Sequence, residues 1–285
     1  MFERKVCLLL LALMVVTIWP AATAFAGGTL PPTPEPLHNG AVSPNYHPSS
    51  QDIQAIQMKE ESLRAAIDYK YQSGFDALRG DSRPHFAAPP IARGITPKYY
   101  HSRVLPLEKE WKEPNDYAHR NYCGPGATQV ALDARLPKYK VPDIDTIGAM
   151  EKINPSWGVT MDNVAATLNQ ILRSNGDLPN SNGFVAYELA YPNNMWSLFN
   201  YIDWDIQRGY ATISGVKTTY MPGWDGRRAY HIVAIYGIYY DNDYNNYYKY
   251  AETASPKAGY NGPFAQWAYW RDFYDYYSGN KVISW

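Results

Sequence analysis

Cys123 is the residue of this chain with the clearest capacity for covalent chemistry. It lies in RNYCGPGATQVALDA, where Gly124-Pro125 suits the first turn of a helix because proline's fixed φ and missing N–H are tolerated there. A thiol at the start of a helix feels the positive end of the helix dipole, which favours its thiolate form. Arg120 adds a positive charge nearby if its side chain points inward. Position alone leaves two interpretations, a reactive nucleophile or a packed and inert cysteine.

A thiol nucleophile also needs an imidazole to take its proton and a third group to orient that imidazole. Of six histidines, only His231 follows Cys123, and it opens the apolar run AYHIVAIYGIYY after a glycine-rich loop. That run predicts a buried strand, and YYKYAET predicts the strand that returns beside it. Glu252, near the end of the return strand, is the predicted orienting carboxylate. The predicted catalytic residues are therefore Cys123, His231 and Glu252.

The first 26 residues have the pattern of a secretory signal peptide. Arg4 and Lys5 precede the apolar run Val6–Trp19, and the segment closes on Ala24-Phe25-Ala26. The run is shorter than the roughly 20 residues that span a bilayer. We therefore predict a secreted, extracellular protein. Of its two cysteines, Cys7 leaves with the signal peptide, and an unpaired cysteine in an oxidising compartment is inert, intermolecularly bridged or reactive.

The charge balance argues against a nucleic-acid partner. The formal net charge is -1, and residues 1–26 carry one net positive charge, so removal of the signal peptide leaves about -2. No later apolar stretch approaches the length of a membrane span. The sequence does not define the oligomeric state.

Beyond residue 26 the chain divides into three parts. Residues 27–50 form a proline-rich tether. Residues 51–104 contain an amphipathic helix that breaks or ends near Gly74, followed by a linker; this part either supports the domain or is a removable pro-segment, and we favour support. Residues 105–285 form the main domain, whose helices precede antiparallel strands, and this order predicts an α+β class. In addition to the helix after Cys123 and the hairpin, the main predicted elements are a helix after Thr160, a strand at 184–189, a helix from Asn194 to Gly209 and a strand in YATISGV.

YCGPGA before a helix, AYHIVAIYG in a late strand and an acidic residue after the return strand resemble papain-like-fold cysteine peptidases. The similarity is to the bacteriocin-processing (double-glycine leader) peptidase-like group, and it covers roughly residues 105–285, including RGYATISGV. It implies a papain-like fold in which a helical lobe carries Cys123 and an antiparallel, strand-rich lobe carries His231. It also implies that Cys123 is the nucleophile, His231 the base and acid and Glu252 the orienting group, without a cofactor or a metal.

Two departures from that group concern the site. The group usually has Asp or Asn where this chain has Glu252. It also has a glutamine about six residues before the cysteine, which donates to the oxyanion. Here that position is Tyr117, with Asn115 and His119 as substitutes. One oxyanion donor is worth roughly 10²–10³ in rate, so efficiency depends on which group replaces it.

Two further patterns compete for the same residues. DNDYNNYYKYAE places Asp241, Asp243, Asn245 and Glu252 at calcium-loop positions 1, 3, 5 and 12, but with Asn246 instead of glycine at position 6 and strands as flanks. A solvated hairpin turn is the favoured interpretation. The late part of the chain is rich in tyrosine and tryptophan, which suits strands and core packing. Trp224, just before His231, is the predicted substrate-binding residue of a cleft.

Together the sequence predicts hydrolysis of a peptide or isopeptide bond in a peptide or protein substrate, through a thioester. Two alternatives stay open. One is an inactive papain-like binding module whose aromatic cleft takes peptide or glycan. The other is acyl transfer of the transglutaminase-like, cross-linking kind.

Overall fold

The computed structural model describes residues 38–79, 100–178, 184–241 and 245–285, with side chains described except at 69–79, 100 and 241. The predicted signal peptide, the start of the tether and linker residues 80–99 lie outside this part of the chain. The helices in the described residues are α1 (Ser50–Arg79), α2 (Cys123–Asp133), α3 (Ile144–Met150), α4 (Met161–Ser174), α5 (Met195–Arg208) and α6 (Trp270–Ser278). No described helix has both the length and the apolar character needed to cross a membrane.

The described strands form one antiparallel sheet in the order β2-β7-β3-β4-β5-β6, and β1 also pairs with β4. The strands are β1 (Tyr100–Val104), β2 (Leu189–Ala190), β3 (Thr212–Lys217), β4 (Tyr230–Asp241), β5 (Tyr247–Ala251), β6 (Ala265–Tyr269) and β7 (Ile283–Ser284). β4 is the central strand: its first half pairs with β3, its second half with β1, and its other edge with β5. This mixture of helices and antiparallel sheet agrees with the predicted α+β class.

The helix predicted after Cys123 is α2, and all of its residues are buried. Most helices of globular proteins bury one apolar face, whereas α2 packs against α3, α4 and the central strand β4 and has no solvent-facing side. Small residues permit this close packing. A Cβ at Gly126 would lie 2.8 Å from the Thr253 side chain, and one at Gly124 would lie 2.2 Å from Val159. The sequence GPGA therefore brings the start of α2 directly against the sheet and the chain that follows β5.

Local signals explain the helices on either side of the sheet. The Asn194 side chain accepts a hydrogen bond from the N–H of Ser197 and caps α5, which ends at Gly209 with φ +86°. Both ends lie where the sequence predicts them, because an N-cap oxygen and a left-handed C-terminal glycine are local requirements. Thr160 precedes α4 as predicted, although its side chain makes no capping bond. The predicted strand in YATISGV is β3, and the predicted hairpin is β4–β5.

Two predicted boundaries are wrong. α1 continues through Gly74 without a break. The strand predicted at 184–189 is reduced to β2, Leu189–Ala190, because the preceding backbone bonds elsewhere. The N–H of Tyr187 donates to the side-chain oxygen of Asn169 at 2.6 Å instead of entering a ladder.

The chain before α2 is hydrogen-bonded to later parts of the domain at two places. At the first, Gly40 N–H donates to Val159 at 2.9 Å and the carbonyl of Ala41 accepts from Met161 at 2.8 Å. At the second, Lys59 of α1 is fully buried, and its ammonium donates to the carbonyl oxygens of Ala186 and Trp285 at 2.7 and 2.5 Å. The same ammonium lies 4.0 and 4.4 Å from the ring centroids of Phe184 and Trp285.

Candidate active site

Cys123 is the first residue of α2, and its side chain is 3% exposed. The first N–H groups of a helix have no acceptor within the helix, so the amide of Cys123 is free of the helical ladder and lies beside its own thiol. The carbonyl oxygen of Cys123 accepts a 3.4 Å hydrogen bond from the hydroxyl of Thr253. This contact joins the nucleophile's backbone to the chain that follows β5.

His231 lies at the start of β4, opposite Val216 of β3, and is 3% exposed. Its Nε2 lies 2.6 Å from Oε1 of Glu252, and the Cys123 side chain is near enough to help raise the pKa of the ring. Because Nε2 faces Glu252, Nδ1 is the ring nitrogen left for the thiol. The three residues predicted from the sequence therefore lie together, in the order thiol, imidazole, carboxylate.

Glu252 follows the last residue of β5 and is fully buried. Its Oε1 accepts from His231 and, at 3.1 Å, from the N–H of Ala254. Its Oε2 accepts from the indole N–H of Trp224 at 3.0 Å. Both carboxylate oxygens are thus occupied, which holds the group in one orientation toward the imidazole.

The electrostatics of this group favour a charged imidazole. Burial opposes the charge, but Glu252 and Cys123 outweigh burial, so the pKa of His231 is raised well above its usual range. An imidazolium between a carboxylate and a thiolate is the charge state that nucleophilic attack by sulfur requires.

Trp224 contacts the histidine–carboxylate pair. It is 2% exposed, and its ring lies 4.9 Å from the His231 ring at an interplanar angle of 62°. Its described side-chain partners are thus Glu252, His231 and Tyr260, whose ring centroid lies 5.7 Å away. Substrate binding by Trp224 stays a prediction.

The three candidates for an oxyanion side chain have partners elsewhere. Tyr117 is 67% exposed, and its ring lies 4.9 Å from the ammonium of Lys257. The oxygen of Asn115 accepts from the N–H of Lys257 at 3.1 Å. His119 is hydrogen-bonded through one ring nitrogen to Asp116 and through the other to Asp145, at 2.7 and 3.0 Å. The amide of Cys123 is accordingly the oxyanion donor that the described geometry offers most directly.

The calcium-loop pattern does not describe the hairpin. Asp241 ends β4, and Glu252 is buried against His231 and Trp224. Asp243 lies outside the described residues. Helices would flank an EF-hand loop, whereas strands flank this turn, so the EF-hand interpretation is wrong. Among the described residues, no group of three or more His, Cys, Asp or Glu is arranged to hold a metal ion.

Glu113 is a residue near the site that the sequence did not single out. It is 3% exposed; its N–H donates to the Thr253 carbonyl at 2.9 Å, and its Oε1 accepts from the N–H of Ser255 at 2.8 Å. In WKEPN it resembles any loop glutamate, and the only sequence signal is its distance of ten residues before Cys123.

Comparison with known proteins gives little beyond this geometry. No family model and no curated protein matches the chain. Among solved structures, the bromelain protease from Ananas comosus in complex with the E64 inhibitor matches with a TM-score of 0.34 and 9% identity. That match covers 61% of this chain and 93% of bromelain. A similarity of this size carries no argument about activity, so the functional inference rests on the site itself.

Proposed function

We propose that this protein is a secreted cysteine peptidase of papain-like fold that hydrolyses a peptide or isopeptide bond through a thioester. One observation carries the proposal: the imidazole of His231, whose Nε2 lies 2.6 Å from the Glu252 carboxylate, also feels the buried Cys123 at the start of α2, and both neighbours raise its pKa. Secretion is supported by the pattern of residues 1–26.

The chemistry follows from the order of the three groups. His231 takes the thiol proton, and the sulfur attacks the carbonyl carbon to give a tetrahedral oxyanion, to which the amide of Cys123 can donate. The imidazolium gives its proton to the leaving nitrogen, the C–N bond breaks and a thioester forms. His231 then takes a proton from water, the hydroxide attacks the thioester, and the carbon–sulfur bond breaks to release the acid and restore the thiol. Glu252 fixes the tautomer of His231 and stabilises its charged form.

A binding module on the same fold is the second candidate. It is favoured by Tyr117 at the position where the resembling group has glutamine, and by the engagement of both ring nitrogens of His119 with Asp116 and Asp145. The two candidates differ in their demand on Cys123, because catalysis needs a thiolate and binding does not.

The test is the rate of iodoacetamide labelling of Cys123 between pH 5 and 9, in the wild type and in His231→Ala. A thiolate–imidazolium pair labels rapidly below pH 7, and removal of the imidazole should slow labelling there by at least about tenfold. His101→Ala is the matched control, because His101 contacts Gln207 and Tyr240. Identical profiles in the wild type and His231→Ala would overturn the enzyme proposal in favour of the binding module.

Substrate class is tested by incubating the wild type and Cys123→Ser with a mixed peptide library and reading the products by mass spectrometry. Cleavage that depends on Cys123 supports hydrolysis. New amide cross-links without cleavage would indicate acyl transfer instead.

A further inference from the structure

We propose that Glu113 is a positioning residue of this site, which clamps the chain after Glu252 and places a second carboxyl group beside the His231–Glu252 pair. The inference rests on the proposed cysteine peptidase function and extends it to a residue outside the thiol, imidazole and carboxylate set.

The clamp consists of three hydrogen bonds along one stretch of backbone. The N–H of Glu113 donates to the Thr253 carbonyl at 2.9 Å, and its Oε1 accepts from the N–H of Ser255 at 2.8 Å. Two residues further on, Asn115 accepts from the N–H of Lys257 at 3.1 Å. Residues 113–115 therefore hold alternate residues of the chain that begins directly after Glu252.

This stretch of chain contacts the catalytic groups from both sides. The N–H of Ala254 donates to Oε1 of Glu252, the oxygen that also faces His231. The hydroxyl of Thr253 donates to the carbonyl of Cys123. Because one clamped segment touches both ends of the Cys123–His231–Glu252 row, its position sets the alignment of the row.

The carboxyl of Glu113 is also an electrostatic neighbour of the pair. Its Oε2 is buried and has no hydrogen-bond partner within the described part of the chain. Burial raises the pKa of Glu113 to about 7; the N–H of Ser255 and the charge of His231, on β4, oppose that rise, and Glu252, after β5, adds to it. Glu113 is therefore neutral in acid and becomes negative near neutral pH.

The sign of the effect follows from the charges. Ionisation of Glu113 adds a negative charge near the His231 imidazolium and stabilises it, which favours the thiolate of Cys123. As pH rises through about 7, labelling of Cys123 should therefore gain a second increase that belongs to Glu113. A merely structural clamp would give no such step.

The experiment compares Glu113→Gln, Glu113→Ala and the control Glu110→Gln, an exposed neighbour, by the pH profile of iodoacetamide labelling. Glutamine can still accept from Ser255 but cannot ionise. We expect Glu113→Gln to match the wild type below pH 6 and to label about two- to threefold more slowly near pH 7.5. Glu113→Ala, which loses the clamp as well, should label more slowly at every pH, and Glu110→Gln should follow the wild type.

The outcomes separate this inference from the proposed function. If His231→Ala slows labelling but Glu113→Gln follows the wild type at every pH, the role of Glu113 is overturned and the peptidase proposal stands. If His231→Ala has no effect, the peptidase proposal itself fails. Should Glu113→Gln not fold, a ¹³C NMR titration of the wild-type carboxyl decides: an inflection near 7 supports the inference, and one in the ordinary acidic range overturns it.

Discussion

His231 and Lys59 are both basic side chains shielded from solvent, 3% and 0% exposed, and each lies near two carboxyl groups. Glu252 and Glu113 lie near His231, whereas Asp205 and Glu188 act on Lys59. Their pKa values nevertheless move in opposite senses. That of His231 is raised well above its usual range, while burial lowers that of Lys59 to about 8 against the pull of its acidic neighbours.

The difference lies in the direct partners. His231 is hydrogen-bonded to the Glu252 carboxylate, and Cys123 also helps to raise its pKa, so its charge is matched by ionisable groups. The ammonium of Lys59 bonds to main-chain oxygens of Ala186 and Trp285 and lies over aromatic rings, and burial lowers its pKa more than its acidic neighbours raise it. A buried charge is therefore not by itself the mark of a reactive site. The first cluster suits chemistry, and the second joins α1 to the domain.

The largest expected effect is the loss of activity when the cluster around His231 is changed. Cys123→Ser and His231→Ala should each lower the rate of peptide cleavage by about 10⁴-fold or more, since nucleophile and base act as a unit. Thermal melting of Cys123→Ser should stay within a few degrees of the wild type. Cleavage is measured with any peptide that the wild type cuts. If either variant retains most of the activity, the His231 cluster is not the catalytic one.

Lys59→Met should lower the stability of the fold and leave the reactivity of Cys123 unchanged. Loss of the cation leaves the main-chain oxygens of Ala186 and Trp285 without their donor and the nearby acids without a counter-charge, and breaking a buried charge cluster costs about 3–5 kcal/mol of unfolding free energy. Denaturant unfolding measures this loss. Labelling of Cys123 in the folded fraction should be unchanged, and the control Lys138→Met, at an exposed lysine, should change stability by no more than about 0.5 kcal/mol.

Trp224→Phe tests the outer support of the catalytic cluster. It keeps an aromatic ring beside His231 but removes the N–H that donates to Oε2 of Glu252 at 3.0 Å. A hydrogen bond to a charged group is worth about 1.5–3 kcal/mol, so we expect kcat to fall by roughly tenfold or more with little change in KM. If Trp224 instead binds substrate, KM will rise while kcat holds.

Glu151 gives the smallest expected effect, on stability alone. Burial raises its pKa to about 8, with the Thr128 hydroxyl bond opposing, so the folded protein retains a proton that the unfolded chain loses near pH 4.5. Stability linked to Glu151 is full below pH 4.5 and is lost as pH rises toward 8. Between pH 5 and 8, the unfolding free energy of the wild type should decrease because Glu151 ionises. The decrease in Glu151→Gln should be smaller by at least about 1 kcal/mol. Parallel profiles in denaturant titrations would argue that Glu151 is already ionised.

The predictable part of the molecule is the part with local signals. The boundaries of α2 and α5 follow from single residues, namely Pro125 after a glycine, the Asn194 cap and Gly209. Each satisfies a requirement of the adjacent helix, so a few residues of sequence are enough to predict the boundary. The hairpin from His231 to Glu252 is likewise local, because a continuous apolar run, a polar turn and a second run rich in tyrosine define it. These short stretches of sequence carry all three residues of the candidate site.

What the sequence does not reveal depends on contacts between distant segments. Glu113 meets Ser255 across 142 residues, and Lys59 meets Trp285 across 226. Neither glutamate nor lysine in an ordinary helix or loop carries a pattern that predicts burial, since both are almost always exposed. The prediction of a strand at 184–189 was wrong for the same reason. The N–H of Tyr187 donates to the side chain of Asn169 in α4, a contact that the local sequence does not indicate.

Because Cys123 has no second cysteine beside it after residue 26, the state of its thiol depends on the redox conditions around the protein. If residues 1–26 are removed, Cys7 goes with them, and Cys123 is the one cysteine of residues 27–285. Oxidation of its thiolate to the sulfenic acid would then find no partner in the chain with which to close a disulfide. Only a thiol from outside can condense with that acid and return the sulfur to its reduced form. The fraction of reactive protein in an oxidising compartment is therefore set by the external supply of reductant, and not by a second cysteine of its own.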